Sequence, residues 1–340
     1  MAIIDKPNLH FNTKLYTGNG GTQSISGVNF QPDWTWIKAR SGTYNATDHM
    51  LFDAVRGATK EIRSNTTSAE DTNTTTLTSF NSDGFSLSTK TNVNGSSTEY
   101  ASWNWKAGGS ASNNTDGDIT SSVSVNQDTG FSVVSWSGNG SNPSTVGHGL
   151  GVAPKMIIAR IRNGSDNWRV GHDSLGGWNY NLSLQHTEAK YINTNVWNST
   201  APSSTYFTIG AELNSGSGTY IAYCFAEKQG FSKFGSYTGN GNADGTFVYT
   251  GFKPAFVMWK KTNGASEWIM VDSKRNTSNE VDKLLRANQS SAENTYGACD
   301  FLSNGWKFRD GDTDFQASGD TYIYMAFAEN PFVTSTGVPA

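Results

Sequence analysis

Tyr16-Thr17-Gly18-Asn19-Gly20 is the stretch that decides the fold, because the chain repeats it twice. It returns as Trp136-Ser137-Gly138-Asn139-Gly140 and as Tyr237-Thr238-Gly239-Asn240-Gly241. Each copy closes on a strand-like run that begins at Tyr100, Tyr220 or Tyr322, which lie 82, 82 and 83 residues after the first glycine. Such constant spacing indicates three equivalent modules. A chain built in this way is more often a scaffold or multivalent binder than an enzyme with one site.

The composition suits three globular modules of roughly 100 residues each. Charged residues make up 16 % of the 340 residues, below the roughly 25 % of an average domain. Aromatic residues reach 12 %, which argues against disorder. The net charge of −4 comes with no basic block, so we predict no nucleic-acid binding. The sequence has no apolar run of 18 residues, so we predict no membrane insertion.

Short apolar or alternating runs between turn residues predict an all-β protein with little helix. Residues 34–40, 156–162 and 256–262 are equivalent predicted strands, each following a proline. Asp83-Gly84 and Asn304-Gly305 predict β-hairpins. Only residues 279–287 have a helical pattern. We therefore expect three tandem antiparallel β-sandwich modules. They are expected to be of jelly-roll or concanavalin-like type, and the second of these is what the resemblance of Asn81-Ser-Asp-Gly-Phe85 to an element of concanavalin-like sandwiches implies.

The spacing of the repeats sets the expected domain boundaries. Module one is predicted at residues 1–107, module two at 119–230 and module three at 231–340. Residues 108–118 are rich in Gly, Ser and Asn and predict a flexible linker. We therefore expect module one to be loosely attached, and modules two and three to form a tighter pair.

The Gly-Asn-Gly element lacks the Lys-Ser/Thr ending of a phosphate-binding loop, and Asn-Gly at a strand end favours a type I′ turn. An aspartate also recurs in each repeat, and an Asx-turn is its expected role, with ligand or metal contact as the alternative. The predicted structural turn anchors are Gly18, Asn19, Gly20, Gly138, Asn139, Gly140, Gly239, Asn240, Gly241, Asp53, Asp173 and Asp272.

Nothing in the sequence has the pattern of an active site. The five histidines do not recur with the repeat, and no nucleophile-elbow motif is present. Residues 310–314 place carboxylates as in a calcium loop but lack its glycine and final glutamate, so a solvated acidic turn is expected, with a weak cation site as the alternative. Cys224 and Cys299 are predicted to be buried and unpaired. We predict no enzyme activity, no cofactor and no metal.

Tryptophans are the remaining candidates for binding, because an exposed indole can stack on a sugar. The alternative for each is burial in a core. Trp178 and Trp197 differ between the repeats and are the best candidates for exposure, with Trp168 as a further one. These three are the predicted glycan or partner contacts.

Several elements together resemble a family of bacteriophage virion proteins common in marine phages and cyanophages. They include Phe30-Gln-Pro-Asp-Trp-Thr-Trp-Ile-Lys38, Asp53-Ala-Val-Arg-Gly57, His148-Gly-Leu-Gly-Val-Ala-Pro-Lys155 and Tyr324-Met-Ala-Phe-Ala-Glu329. The resemblance covers nearly the whole chain. It implies a non-enzymatic structural protein of the tail or capsid surface that docks to other virion proteins and is exposed on the particle. It implies no catalytic residues.

The same resemblance sets the expected partners. A carbohydrate-binding adhesin for host-surface glycans is the alternative function, and a closed homo-oligomer is expected by analogy with other virion appendages. The N-terminal residues lack a signal-peptide core, so we expect exposure by release with the particle rather than by secretion. Repeats one and three share an Asn-x-x-Ser-Ala-Glu element at 65–70 and 288–293, where repeat two has Gln-His-Thr-Glu-Ala-Lys at 185–190. Such differences are where distinct docking roles are expected.

Overall fold

Strands form nearly all the regular structure in residues 4–332, the part of the chain that the computed structural model describes. The all-β prediction with little helix is therefore confirmed. The two α-helices are a single turn each, α1 (Thr91–Asn94) and α2 (Thr194–Trp197). Short 3-10 segments lie at Pro7–Leu9, Asp173–Leu175 and Ala211–Leu213.

The strands follow the repeats. Repeat one contains β1 (Phe11–Thr17), β2 (Gln23–Ser26), β3 (Trp34–Ser41), β4 (Met50–Asp53), β5 (Lys60–Arg63), β6 (Asp71–Thr72), β7 (Leu77–Asn81), β8 (Gly84–Leu87) and β9 (Glu99–Trp105). Repeat two contains β10 (Ser112–Asn114), β11 (Ser121–Asn126), β12 (Phe131–Ser137), β13 (Ser144–Gly147), β14 (Met156–Ile161), β15 (Arg169–His172), β16 (Tyr180–Ser183), β17 (Tyr191–Ile192), β18 (Tyr206–Ile209) and β19 (Thr219–Phe225). Repeat three contains β20 (Ser232–Thr238), β21 (Phe247–Tyr249), β22 (Phe252–Lys261), β23 (Trp268–Asp272), β24 (Val281–Arg286), β25 (Asn294–Leu302), β26 (Gly305–Phe308) and β27 (Thr321–Pro331).

Each repeat builds one large antiparallel sheet on the same plan. The closing strand (β9, β19 or β27) lies between the strand that leads into the Gly-Asn-Gly element (β1, β12 or β20) and the next long strand of the repeat (β3, β14 or β22). The orders are β1-β9-β3-β4-β5-β6, then β10-β11-β12-β19-β14-β15-β16-β17, then β20-β27-β22-β23-β24-β25-β26-β21. Smaller sheets, β2-β8-β7 and β13-β18, accompany the first two, whereas in repeat three the corresponding strands continue the large sheet.

The closing strands are buried on both faces. In β19, Tyr220 and Cys224 point into a hydrophobic core that belongs to repeat two, and Tyr223 and Phe225 point into a core shared by all three repeats. Successive strand residues face opposite sides of a sheet, so one strand serves both cores. The chain thus has one core within each repeat and a fourth, central core between them.

The central core attaches repeat one firmly. Trp34 lies 4.2 Å from the Tyr223 ring of repeat two, and Phe11 stacks 5.0 Å from Phe327 of repeat three. The prediction of a loosely attached first module is therefore wrong, because aromatic side chains of its large sheet pack against both other repeats. The predicted linker is also wrong in part, since β10 forms within it and pairs with β11.

The hairpin predictions are confirmed with a shift of one residue. The turns are formed by residues 82–83 and 303–304, and Gly84 and Gly305 already belong to the following strands. A Cβ on Gly84 would lie 2.0 Å from the Ile25 carbonyl oxygen, and one on Gly305 would lie 2.1 Å from that of Val248. The glycines therefore permit close packing of backbones rather than the turn itself.

The helical prediction for 279–287 is wrong, because this stretch contains β24. Leu284 is buried in the core of repeat three, and the adjacent Leu285 is buried in the central core. Consecutive residues point to opposite sides only in an extended strand. A sheet buried on both faces removes the alternation that would have indicated a strand.

The three Gly-Asn-Gly elements are loops that leave the large sheet, and not the predicted type I′ turns. In repeat two, the Asn139 side-chain oxygen accepts hydrogen bonds from Ser141 N (2.9 Å) and from the Asn214 side chain (2.7 Å). Only the last glycine has a positive φ, at 76° for Gly140, whereas a type I′ turn needs two consecutive positive values. The first glycine is needed for close approach: a Cβ on Gly138 would lie 2.0 Å from the Ser215 carbonyl oxygen.

Replacing Gly138 with alanine is expected to lower the free energy of unfolding by about 1–3 kcal/mol, as for other overpacked sites. Urea denaturation measures this change. Gly216→Ala is the matched control in the facing loop, because its Cβ would come no closer than 3.7 Å to any neighbour. The control is expected to keep or slightly raise stability. Equal losses in both variants would contradict a steric role for Gly138.

Candidate functional site at the junctions between repeats

The repeats meet at three equivalent junctions, each crossed by the same backbone hydrogen bond. Glu70 N donates to Arg162 O (2.7 Å) at the one–two junction, and Glu293 N donates to Arg40 O (3.0 Å) at the three–one junction. Lys190 N donates to Thr262 O (2.8 Å) at the two–three junction. These are the ends of the segments 65–70, 288–293 and 185–190. That element therefore connects one repeat to the next.

The one–two junction holds a buried network of charges. Asp53 and Arg56 form an ion pair in which both side chains are fully buried. Arg56 also contacts Glu70 (3.2 Å), which in turn accepts hydrogen bonds from Nε and Nη2 of Arg162 at 2.9 and 3.0 Å. The Tyr223 hydroxyl donates to Asp53 (2.9 Å). Burial alone would raise the pKa of Glu70, but the hydrogen bonds and charges of the two arginines outweigh it and lower that pKa.

The three–one junction repeats this network with other residues. Asp272 and Arg275 form the fully buried pair, and Glu293 bridges Arg275 and Arg40. Trp103 donates its indole N–H to Asp272 (3.0 Å), in the place that Tyr223 takes at the first junction. Both networks contain two carboxylates and two guanidinium groups, so each is neutral as a whole.

In repeat two the counterpart of Asp53 and Asp272 is His172 and not the predicted anchor Asp173. The strand register pairs Met156 with His172 just as it pairs Trp34 with Asp53. Asp173 lies one residue further on, where it is half exposed and forms an ion pair with Lys155 (2.7 Å). The sequence spacing of the aspartates is therefore misleading by one residue in this repeat.

The neighbouring positions of the two–three junction have lost the rest of the network. Leu175 stands in the place of Arg56, Thr262 in that of Arg162, and Met325 in that of Tyr223. Lys190 replaces the bridging carboxylate of Glu70. One cation is left where two carboxylates and two guanidinium groups lie at the other junctions.

His172 is neutral at this junction. Its Nδ1 accepts a hydrogen bond from Ser174 N (3.0 Å), and its Nε2 donates to Tyr324 O (3.2 Å). Burial lowers the pKa of His172 to about 4. The imidazole therefore satisfies the backbone without bringing a charge into the core.

This pKa predicts a loss of stability in acid. The unfolded chain protonates His172 near pH 6.5 and the folded chain only near pH 4, so the stabilisation is complete above pH 6.5 and lost as the pH falls towards 4. The contribution is on the order of 3 kcal/mol. Urea denaturation from pH 4 to 7.5 measures it. His172→Asn keeps an acceptor for Ser174 N and is expected to flatten this part of the curve; an unchanged slope would contradict the assignment.

The smaller side chains leave a groove of about 460 Å³ at the two–three junction. Its lining includes Lys190 and several hydroxyl groups, and it contains no carboxylate among the described residues. The Lys190 ammonium donates to Leu175 O (2.6 Å) and lies 4.4 Å from the centre of the Tyr180 ring. Guanidinium–carboxylate pairs occupy the corresponding positions at the other two junctions.

The predicted tryptophan contacts are wrong, because all three side chains are buried. Trp178 and Trp197 pack edge to face at 5.6 Å in the core of repeat two. Trp168 lies in the central core and donates to Arg63 O (2.8 Å). All eleven tryptophans of the chain are buried in the same way.

The other polar candidates have structural roles. In the 310–314 turn, Asp310 accepts from Asp312 N (2.9 Å) and Asp312 accepts from Asp314 N (2.7 Å). Among the described residues, no group of three or more His, Cys, Asp or Glu side chains is arranged to hold a metal ion. Cys224 and Cys299 are buried and unpaired, as predicted, and burial raises the pKa of both thiols.

The two–three junction, in which Lys190 replaces the paired charges of the other two junctions, is the feature that the sequence analysis missed. The change from Asn-x-x-Ser-Ala-Glu to the segment 185–190 was its one visible sign. The substitutions that accompany it lie in other strands and other repeats, so only the fold brings them together.

Comparison with known proteins places the chain in one family. The family model described as Domain of unknown function (DUF7483) matches residues 6–331. No curated protein and no solved structure matches the chain. Within residues 4–332, no helix is long and apolar enough to cross a membrane.

Proposed function

This chain belongs to the family described as Domain of unknown function (DUF7483), and on that premise we propose that it is a non-enzymatic structural protein of a bacteriophage particle. It would be a tail-associated or capsid-surface component, exposed on the virion and docked to other virion proteins. The observation that carries this proposal is the central core that joins all three repeats.

The positions common to the repeats support a structural role. Gly18 and Gly138 serve close packing of the loops, and the Glu70 and Glu293 segments connect neighbouring repeats. The residues that recur in the repeats thus hold the loops and the repeats together, as expected for a scaffold that must be stable outside a cell. We propose further that each repeat is a β-sandwich of jelly-roll or concanavalin type. In repeat one, residues of both sheets enclose a common hydrophobic core, which supports that assignment.

Mass spectrometry of purified particles tests the structural role. The phage that carries the gene is grown, banded by density and separated into heads and tails. The protein is expected in intact particles at a fixed stoichiometry and in one of the two fractions. Its presence in the infected-cell lysate together with its absence from particles would overturn the proposal.

Self-association is part of the same proposal. A closed homo-oligomer would match the symmetry of the mounting point on the particle. Light scattering coupled to size-exclusion chromatography measures the oligomeric state, and a strict monomer at all concentrations would contradict it.

Attachment to host-surface glycans is a second candidate function, and the groove at the two–three junction favours it. Buried tryptophans cannot provide the contacts. The hydroxyl groups and the single cation of the groove are chemically suited to a sugar.

A further inference from the structure

The two–three groove differs from its counterparts by a reversal of charge. At the other junctions the protein supplies the carboxylate, Glu70 or Glu293, and holds it between two arginines. At the two–three junction the same backbone position carries Lys190, and no carboxylate lines the groove in the described chain. A ligand that brings its own carboxylate would restore the pairing found at the other two junctions.

Lys190 is able to bind such a group. An ammonium has three N–H donors, and one of them is used by Leu175 O. The Tyr180 ring, 4.4 Å from the nitrogen, holds the side chain in place by a cation–π contact. The ammonium therefore has a defined position and two donors left for a ligand.

The rest of the lining is suited to a polyhydroxylated ligand. Ser174, Ser236 and Thr238 line the groove, and their side-chain hydroxyls make no hydrogen bond to any other described residue. Each hydroxyl can both donate and accept, as the hydroxyls of a sugar do. A volume of about 460 Å³ is within the range of small-molecule sites.

We propose that the groove between repeats two and three binds a saccharide that carries a carboxylate, such as a uronic acid unit, with Lys190 pairing with the carboxylate and the Ser and Thr hydroxyls binding the ring hydroxyls. This inference deepens the second function proposed above, attachment to host glycans, and names its ligand class.

Calorimetric titration of the full chain with sodium glucuronate tests the proposal. Glucuronate is expected to bind, whereas neutral methyl glucoside and the small anions acetate and phosphate are expected to bind about tenfold more weakly or not at all. Equal affinity for methyl glucoside would overturn the role of the carboxylate. Equal affinity for acetate or phosphate would overturn the saccharide, and so would the absence of glucuronate binding at millimolar concentration.

Variants locate the binding. Lys190→Gln removes the charge and is expected to weaken glucuronate binding about tenfold or more. Lys155→Gln is the matched control, because it removes a half-exposed lysine that pairs with Asp173. Binding that survives Lys190→Gln, or that is lost equally in the control, would overturn the site.

A second variant keeps the test decisive if Lys190→Gln fails to fold. Lys190→Glu combined with Thr262→Arg rebuilds the carboxylate–guanidinium pair of the other junctions and fills the groove. It is expected to fold and to lose glucuronate binding, and retained binding would overturn the site. These results are independent of particle mass spectrometry, so failure of the glycan site leaves the structural role standing, and the reverse also holds.

Discussion

Arg56→Leu is expected to lower the free energy of unfolding by about 3–5 kcal/mol, because it leaves the Asp53 carboxylate buried without its partner. Both side chains are fully buried, and Tyr223 also donates to the same carboxylate. The loss of a buried partner costs far more than the loss of an exposed ion pair, which contributes about 0–1 kcal/mol. Urea denaturation at pH 7 measures the shift in midpoint at constant m value.

The chain itself provides the control for this experiment. The two–three junction already has a histidine and a leucine at these positions, His172 and Leu175. The double variant Asp53→His with Arg56→Leu copies that arrangement into the one–two junction. It is expected to recover part of the lost stability, because no unpaired charge remains in the core. A cost below about 1 kcal/mol for Arg56→Leu alone would show that the network does not hold the junction.

Trp34→Ala is expected to cost about 3–5 kcal/mol and to weaken all three repeats together. The Trp34 ring is fully buried in the central core, 5.9 Å from Phe131 and 4.2 Å from Tyr223. The cavity would therefore lie between repeats rather than inside one. Circular dichroism and tryptophan fluorescence are expected to report one transition, shifted to lower denaturant concentration by both probes.

Tyr249→Ala is the control, because this side chain is 46 % exposed on the edge strand β21. Its effect is expected to lie within about 0.5 kcal/mol of zero. A separate early transition of repeat one in the Trp34→Ala variant, with the other repeats unchanged, would contradict a common core.

The sequence was sufficient to predict the all-β class and the internal repeat, and the repeat could be recognised because its anchors are backbone requirements. No Cβ fits at Gly138, and the Asn139 side chain accepts a hydrogen bond within its own loop. The same two residue types therefore recur at these positions in all three repeats. The hairpins at Gly84 and Gly305 were also visible, although the glycines proved to permit close packing rather than the turn. Local rules of this kind operate within a few residues and can be read from the sequence.

The predictions of exposed tryptophans and of a helix at 279–287 are wrong for one common reason. Sequence patterns assume that a sheet has one buried and one solvated face, and here the large sheets have two buried faces. Leu284 and Leu285 point into different cores, which destroys the alternation of a strand. Trp178 and Trp197 lie in a loop-rich region of sequence yet pack against each other inside repeat two.

The junctions could not be derived because they depend on register and on distant residues. In repeat two the position equivalent to Asp53 is occupied by His172, one residue before the expected Asp173. The sequence spacing of the aspartates does not reveal this shift of one residue. Lys190, Thr262 and Met325 are far apart in the chain and become neighbours only in the fold. Their combined effect on the charge of the junction therefore cannot be derived from the sequence.

The position of Phe11 against Phe327 also bears on how the protein is made. Strand β1 needs the distant strand β27 to complete the central core, and each large sheet needs its closing strand to join the strands on either side of it. Until repeat three has been translated, Phe11 of β1 therefore lacks two of its neighbours in the central core, Phe256 and Phe327. Contacts at such sequence separation slow folding and leave apolar strands exposed in the nascent chain. Synthesis of the chain thus includes an interval in which apolar strands of repeat one are exposed and are open to binding by chaperones.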